Sequence, residues 1–406
     1  MIDRPLYSAA WAELSAEKAL VLLSGPRQVG KTTLAASLAG TFPNHVLLNW
    51  DVITDRKRLL TDPYFFAQLP RRDETRPLVV LDEIHKYRGW RNYLKGVYDR
   101  FARQFQFLVT GSGRLDIHQR SGDSLAGRYL LFHLWPFTLS ELADRRVPIE
   151  NFRTDFLGVV TGDTAILRET WRRLSRFSGF PEPYVAAKPS SYVRWSNAYH
   201  RQVIREDIRD LTGLRNIGDV ETLFSLLPAR IGSPLSIPSL AQDLKVAYNT
   251  VRKWLSALER FFILFTISPW TRQVVRTIHK ERKTYLFDYA LIEDEGARFE
   301  NMVALELHRA VMLWNDLGRG RFSLHFLKTK DQDEVDFLVA EKHRPLFLVE
   351  AKRRDEQPSA ALRKLQSQLR APAVQLTDEG ETFRRVRNGD HEILVAPAWM
   401  WLPRLP

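Results

Sequence analysis

The sequence predicts a multidomain α/β protein whose first domain opens on a phosphate-binding loop and whose last carries two strand carboxylates and a lysine. Three stretches support this: "ALVLLSGPRQVGKTT" at 19–33, "PLVVLDEIHK" at 77–86 and "EVDFLVAEKHRPLFLVEAK" at 334–352. At 406 residues the chain exceeds one typical core, and about three domains are expected. Sixty basic against 48 acidic residues give a net charge of +12, which suits a polyanionic partner, although a cationic surface also serves solubility. The absence of cysteine excludes disulfides, thiolate-zinc sites and a cysteine nucleophile. The opening residues lack the apolar core of a signal peptide, and the longest uncharged apolar run, "FFILFTI" at 261–267, is too short to span a bilayer. A soluble, cytoplasmic protein with no membrane partner is expected.

In the first stretch a continuous apolar run leads into Gly25, Pro26, Arg27, Gln28, Val29, Gly30, Lys31, Thr32 and Thr33, and "TLAASLAG" continues at helical spacing. It reads as strand, loop, helix. The glycines let backbone N–H groups turn inward around phosphates, Lys31 reaches the β and γ phosphates, and Thr32 ligates magnesium at the helix N-terminus. ATP and Mg2+ are the expected cofactors, since no strand ends in an Asn-Lys-x-Asp stretch for guanine. In the second stretch, Asp82 is expected to hold the magnesium shell and Glu83 to orient or deprotonate the attacking water. A further run, "FQFLVTGSGR" at 105–114, ends in Thr110 and Ser112, whose hydroxyls are placed to sense the γ-phosphate. Three buried parallel strands ending at one phosphate site make residues 1–135 an ATPase core. Arg128, just beyond the small "LAG", is expected to reach a neighbouring subunit's γ-phosphate as a finger. A surface arginine capping a strand has the same spacing.

From 136 to 232 apolar residues recur at helical spacing, and a helical lid is expected, with Arg172, Arg173 and Arg176 on a phosphate-facing surface or a solvated one. Residues 233–288 read as a winged helix. Ser239 is expected to cap its first helix, Leu240 and Leu244 to face inward, Val246 to fill the turn, and Val251, Leu255 and Leu258 to line the second helix. Asn249, Thr250, Arg252 and Lys253 then point outward, toward DNA. Lys245 stands where glycine would ease the turn and Ala247 where a capping serine is commoner, which weakens base reading; a helical pair used for packing is the alternative. "TRQVVRTIHKERKTYLF" at 271–287 suits an edge hairpin lying along a phosphate backbone.

Residues 289–406 combine an amphipathic helix carrying Glu300 and Glu306 with successive strands. Period-two alternation puts Glu334 and Asp336 on one strand face and Glu350 and Lys352 on another. Helical Glu300, Asp336 and the Glu350-x-Lys352 pair are the elements of the PD-(D/E)xK nuclease superfold. Asp336 and Glu350 would hold magnesium, with Lys352 orienting water or stabilising the oxyanion. Gln366 and Gln368 on the next helix are expected to face the same groove.

Taken together, "GPRQVGKTTL", "LDEIHK", "LVTGSG", "SLAGR", "SGFPEPYV", "EVDFLVAE" and "LFLVEAK" resemble the bacterial and archaeal AAA-type ATPases that carry a C-terminal domain of unassigned function with a nuclease-like core. The resemblance implies an AAA+ core, a helical lid, a winged helix and a restriction-endonuclease-like closing domain. The leading expectation is a hexameric ring that hydrolyses ATP to translocate on or remodel DNA in a structure-selective way, with Holliday junctions preferred. An ATP-gated, magnesium-dependent nuclease, such as one used in defence, and a nucleotide-switched DNA-binding regulator are the alternatives.

Overall fold

Apolar runs alternate with helices through the first part of the chain, and the runs pair in register. The computed structural model describes residues 2–112, 125–209, 217–271, 282–329, 333–354 and 357–406. They form two units, Met1–Trp135 and Pro136–Pro406. In the first, β1 (Leu20–Ser24), β2 (His45–Asn49), β3 (Leu78–Asp82), β4 (Gln106–Thr110) and β5 (Tyr129–His133) make one parallel sheet in the order β2-β3-β4-β1-β5. β1 and β3 are buried throughout, as strands covered on both faces must be, which is why they read as unbroken apolar runs. Phe66, Phe101, Phe105 and Phe107 pack as a cluster of rings on this sheet. The register sets Asn49 beside Asp82 and Leu23 beside Thr110, so the polar strand ends meet at one edge.

In the second unit helices run from Leu139 to Leu226, after which α2 (Ile237–Asp243) and α3 (Tyr248–Arg260) pack as a pair. Ser236, rather than Ser239, caps α2: its side chain accepts from the Ser239 N–H, because Pro238 fits the first turn and moves the helix start forward. The inner face of α3 is Val251, Trp254, Ala257 and Leu258, while Leu255 is half-buried; the indole fills space that a leucine was expected to fill. Lys245 takes φ +53°, the left-handed turn where glycine is easier. Arg173 is spent on the fold, donating to the carbonyls of Tyr184 at 2.8 Å and Val185 at 3.0 Å, whereas Arg172 and Arg176 are exposed.

β6 (Leu264–Pro269) and β7 (Lys283–Leu286) pair antiparallel behind α3, and Pro234 bridges to Lys283. Residues 272–281, the centre of the expected edge hairpin, lie outside the described residues. β8 (Phe322–Lys328), β9 (Glu334–Glu341), β10 (Arg344–Lys352), β11 (Ala373–Thr377), β12 (Arg384–Asn388) and β13 (His391–Pro397) continue the sheet in the order β12-β13-β11-β10-β9-β8-β6-β7. A 22-residue helix, α4 (Glu295–Asp316), packs on β8 and β10, and α5 (Ala360–Leu369) crosses between the parallel pair β10 and β11. Gln366 is buried and does not face a groove; its amide donates to Glu392 O at 2.8 Å and its oxygen accepts from Asn388. Gln368 is exposed. No helix among the described residues is long and apolar enough to cross a membrane.

Glu306 on α4 is buried and accepts from the N–H of Leu139 and from the Ser140 hydroxyl at 3.2 Å, capping the short helix Leu139–Ala143. Burial raises its carboxyl to about 7, with Arg309, Leu139 and Ser140 opposing. A folded value above the unfolded one means that the native state binds the extra proton, so this stability is full below about 4.5 and is lost as pH rises through about 7. Glu306→Gln is expected to flatten that part of the decline, read as urea midpoints of the second unit's transition at pH 5 and pH 7.5.

Candidate functional site

The phosphate loop joins β1 to α1 (Lys31–Gly40) through Gly25, with φ +144°, and Gly30, with φ +94°. A Cβ on Gly25 would strike the carbonyl of Leu134, so only glycine fits. Pro26 and Val29 are buried, Arg27 is half-buried, and Gln28, Thr32 and Thr33 are exposed. Arg4, which the sequence reading passed over, braces the loop by donating to Val29 O at 2.8 Å and Trp135 O at 2.7 Å. Lys31 Nζ turns back on the loop, 3.0 Å from Gly25 O and 2.6 Å from Pro26 O. The loop thus holds its own cation where phosphate oxygens would take the ammonium over.

Asp82, fully buried at the end of β3, is where the site converges. Thr32 Oγ1 donates to its Oδ2 at 2.9 Å, Asn49 Nδ2 to the same oxygen at 2.9 Å, and the Thr110 hydroxyl to Oδ1. Burial pushes the Asp82 carboxyl up, while Thr110 and Thr32 pull it down. A serine or threonine hydroxyl beside a carboxylate is the donor set a magnesium ion takes in phosphate-loop sites, so Thr32 and Asp82 fit that ion. Thr110 touches the carboxylate rather than standing apart as a γ-phosphate sensor, and Ser112 is buried just beyond β4.

Glu83 takes the left-handed conformation, φ +56°, which turns its side chain out of the strand. It lies 3.0 Å from Lys86 Nζ, and Lys86 also meets Asp51 at 2.5 Å. Arg128 is held by Asp99, Nε to Oδ1 at 2.7 Å and Nη2 to Oδ2 at 3.2 Å. That bond holds the Asp99 carboxyl down and the guanidinium up. Asn49 was missed because a lone Asn after an apolar run carries no motif; only the β2–β3 register reveals it.

In the second unit Asn249, Arg252 and Lys253 are exposed on one side of α3 and Thr250 is half-buried. α4 and β9 bring Glu300, Glu334 and Asp336 together around Lys283. Glu350 and Lys352 are 3.7 Å apart on β10. Asp336 Oδ2 accepts from the Ala351 N–H at 2.9 Å, tying β9 to β10 between those two residues. Burial raises the Glu350 carboxyl, and burial together with Asp336 raises Glu300 to about 7 against the pull of Lys283.

Residues 17–143 match a family described as an AAA domain. That match spans most of the first unit. Residues 168–294 and 295–398 match two families, each described as a domain of unknown function. Over 341 residues the chain is 25% identical to an uncharacterized protein of Mycobacterium tuberculosis (strain H37Rv), covering 80% of this chain and 68% of that one. Among solved structures, a Walker-type ATPase of Pyrococcus abyssi is similar at 17% identity and a TM-score of 0.45, over 72% of this chain and 95% of that one. The ORC1 protein of Aeropyrum pernix, solved in complex with DNA, is similar at 17% identity and a TM-score of 0.33, over 75% and 94%.

Two substitutions test the site. Lys31→Ala is expected to abolish ATP turnover. Asn49→Ala, which removes one of three donors to Asp82, is expected to lower kcat by roughly tenfold or more with a smaller change in KM, in line with about 1.5 kcal/mol or more for a hydrogen bond to a charged group. Steady-state phosphate release measures both; an Asn49→Ala enzyme with wild-type kcat would remove its positioning role.

Proposed function

We propose that this chain is an ATP-hydrolysing AAA+ motor that binds DNA and translocates on it or remodels it, working in the cytoplasm as a hexameric ring. Its parts are a core at 1–135, a helical lid at 136–232, a winged helix at 233–288 and a nuclease-like domain at 289–406. The observation that carries the ATPase half is the convergence of Thr32, Asn49 and Thr110 on Asp82 beside the Lys31 loop. The DNA half rests on the net charge of +12 and on the exposed side of α3 that carries Asn249, Arg252 and Lys253. Four-way junctions are the preferred substrate, because backbone contacts carry affinity without base sequence.

Each residue has a role in this reading. The loop N–H groups and Lys31 bind the β and γ phosphates once Lys31 leaves the carbonyls of Gly25 and Pro26. Thr32 and Asp82 would hold magnesium, which neutralises phosphate charge when bound. Glu83 orients the attacking water after exchanging Lys86 for it, and Thr110 keeps Asp82 in place. Arg128 serves a neighbouring subunit only by leaving Asp99, so turnover should rise with protein concentration.

A labelled four-way junction incubated with magnesium and either ATP or a non-hydrolysable analogue tests the proposal on native and denaturing gels. Intact two-strand products that require hydrolysis are expected. ATP turnover indifferent to DNA of every shape would sink the motor reading. Arg252→Ala with Lys253→Ala is expected to weaken binding to all sequences alike and to flatten the salt dependence of log K by roughly two units. Arg128→Ala is expected to slow turnover at least about a hundredfold at any protein concentration; an unchanged rate would discard the finger.

A further inference from the structure

Asp336, one of the two carboxylates that the sequence pattern assigns to a metal ion, lies instead in a cluster built around an ammonium. The Lys283 side chain, at the first position of β7, is 1% exposed, and its Nζ lies 2.7 Å from Glu334 Oε1, 3.2 Å from Glu300 Oε1 and 3.6 Å from Asp336 Oδ1. Of the ammonium's three N–H donors, two reach Glu334 and Glu300, while Asp336 stands at ion-pair distance. The Phe326 ring lies beside it at 5.6 Å. Tyr285 donates to the same Glu300 oxygen at 2.8 Å, and the second Asp336 oxygen is taken by the Ala351 N–H.

Magnesium needs about six oxygens at roughly 2.0–2.1 Å in near-octahedral array. An ion held by Asp336 and Glu350 would have to take Asp336 oxygens that face the Lys283 ammonium at 3.6 Å and accept the Ala351 N–H at 2.9 Å. These residues do not fit the ion that the pattern implies.

We propose that Lys283 is the resident cation of this cluster, neutralising Glu300, Glu334 and Asp336 in place of a metal, so that the closing domain cuts no phosphodiester by metal-dependent hydrolysis. The lysine comes from the hairpin that follows α3, and its partners come from α4 and β9. One ammonium therefore ties three segments together. Lys352, 40% exposed at its side chain, is left on the outside of the site, available to a phosphate backbone without a cleaving ion behind it. The inference rests on this sheet alone and is independent of the ATP-driven reading.

The test uses the whole nucleotide-free protein titrated with MnCl2, with bound manganese read by electron paramagnetic resonance, and labelled DNA run on denaturing gels with magnesium or manganese. The wild type is expected to show no manganese site that Asp336→Asn removes, and no shortening of strands that depends on Asp336. Lys283→Gln, a shorter polar side chain without the charge, is expected to gain a manganese site that the wild type lacks. Adding Asp336→Asn should remove that site. An Asp336-dependent manganese site or strand scission in the wild type would overturn the proposal, as would a folded Lys283→Gln protein with no new site. Should Lys283→Gln fail to fold by circular dichroism, the wild type against Asp336→Asn decides alone. Loss of ATP-dependent junction opening would leave every one of these readouts unchanged, so the two proposals fail separately.

Discussion

The buried carboxylate of Asp82 is the constraint on which the nucleotide site depends. A carboxylate with no exposed surface is costly unless its oxygens are bonded, and here α1, β2 and β4 each supply a donor. Each charge-assisted bond contributes on the order of 1.5–3 kcal/mol, so the sheet order and the placement of α1 are fixed partly by where this one charge must be satisfied. Moving β2 by one residue would take Asn49 away from Asp82 and turn its side chain to the other face. The same carboxylate that suits a magnesium ion is therefore also the clasp between the phosphate loop and the strands beneath it.

The second unit uses the same physics at several points. Asp288 is buried and accepts from Ser196 at 3.0 Å and from Tyr192 at 3.3 Å, joining the helix Pro189–Gln202 to the end of the hairpin after α3. Glu306 caps a helix that begins 167 residues earlier, and Arg309 beside it reaches the carbonyl of Pro406 at 2.9 Å. Lys283 does the same for three carboxylates. Buried charges of this kind add little net stability compared with apolar residues, but breaking one partner away leaves the other uncompensated. They select one arrangement of helices and strands rather than adding to the core.

What the sequence made legible follows from range. The phosphate loop, the buried strands and the Glu350-x-Lys352 pair are local patterns, set by spacing over a few residues, and period-two alternation correctly put Glu334 and Asp336 on one face. Asn49 and Lys283 were illegible because neither belongs to a motif, and each meets its partners only through strand pairing. The capping of α2 was misread by three residues because Ser236 and Ser239 both precede apolar positions, and only the proline between them decides the start. Gln366 and Arg173 looked outward on a helical wheel but are held by carbonyls of other segments. Polar residues read as surface were those whose backbone partners lie far along the chain.

In the first unit, the charges expected to act on a nucleotide already have local partners. Lys31 is on its own loop, Glu83 on Lys86, Arg128 on Asp99 and Asp82 on three donors. Such a site does not wait as a set of bare charges, whose mutual repulsion and desolvation would destabilise the fold. Each of these groups must give up an existing partner before it can act on a nucleotide.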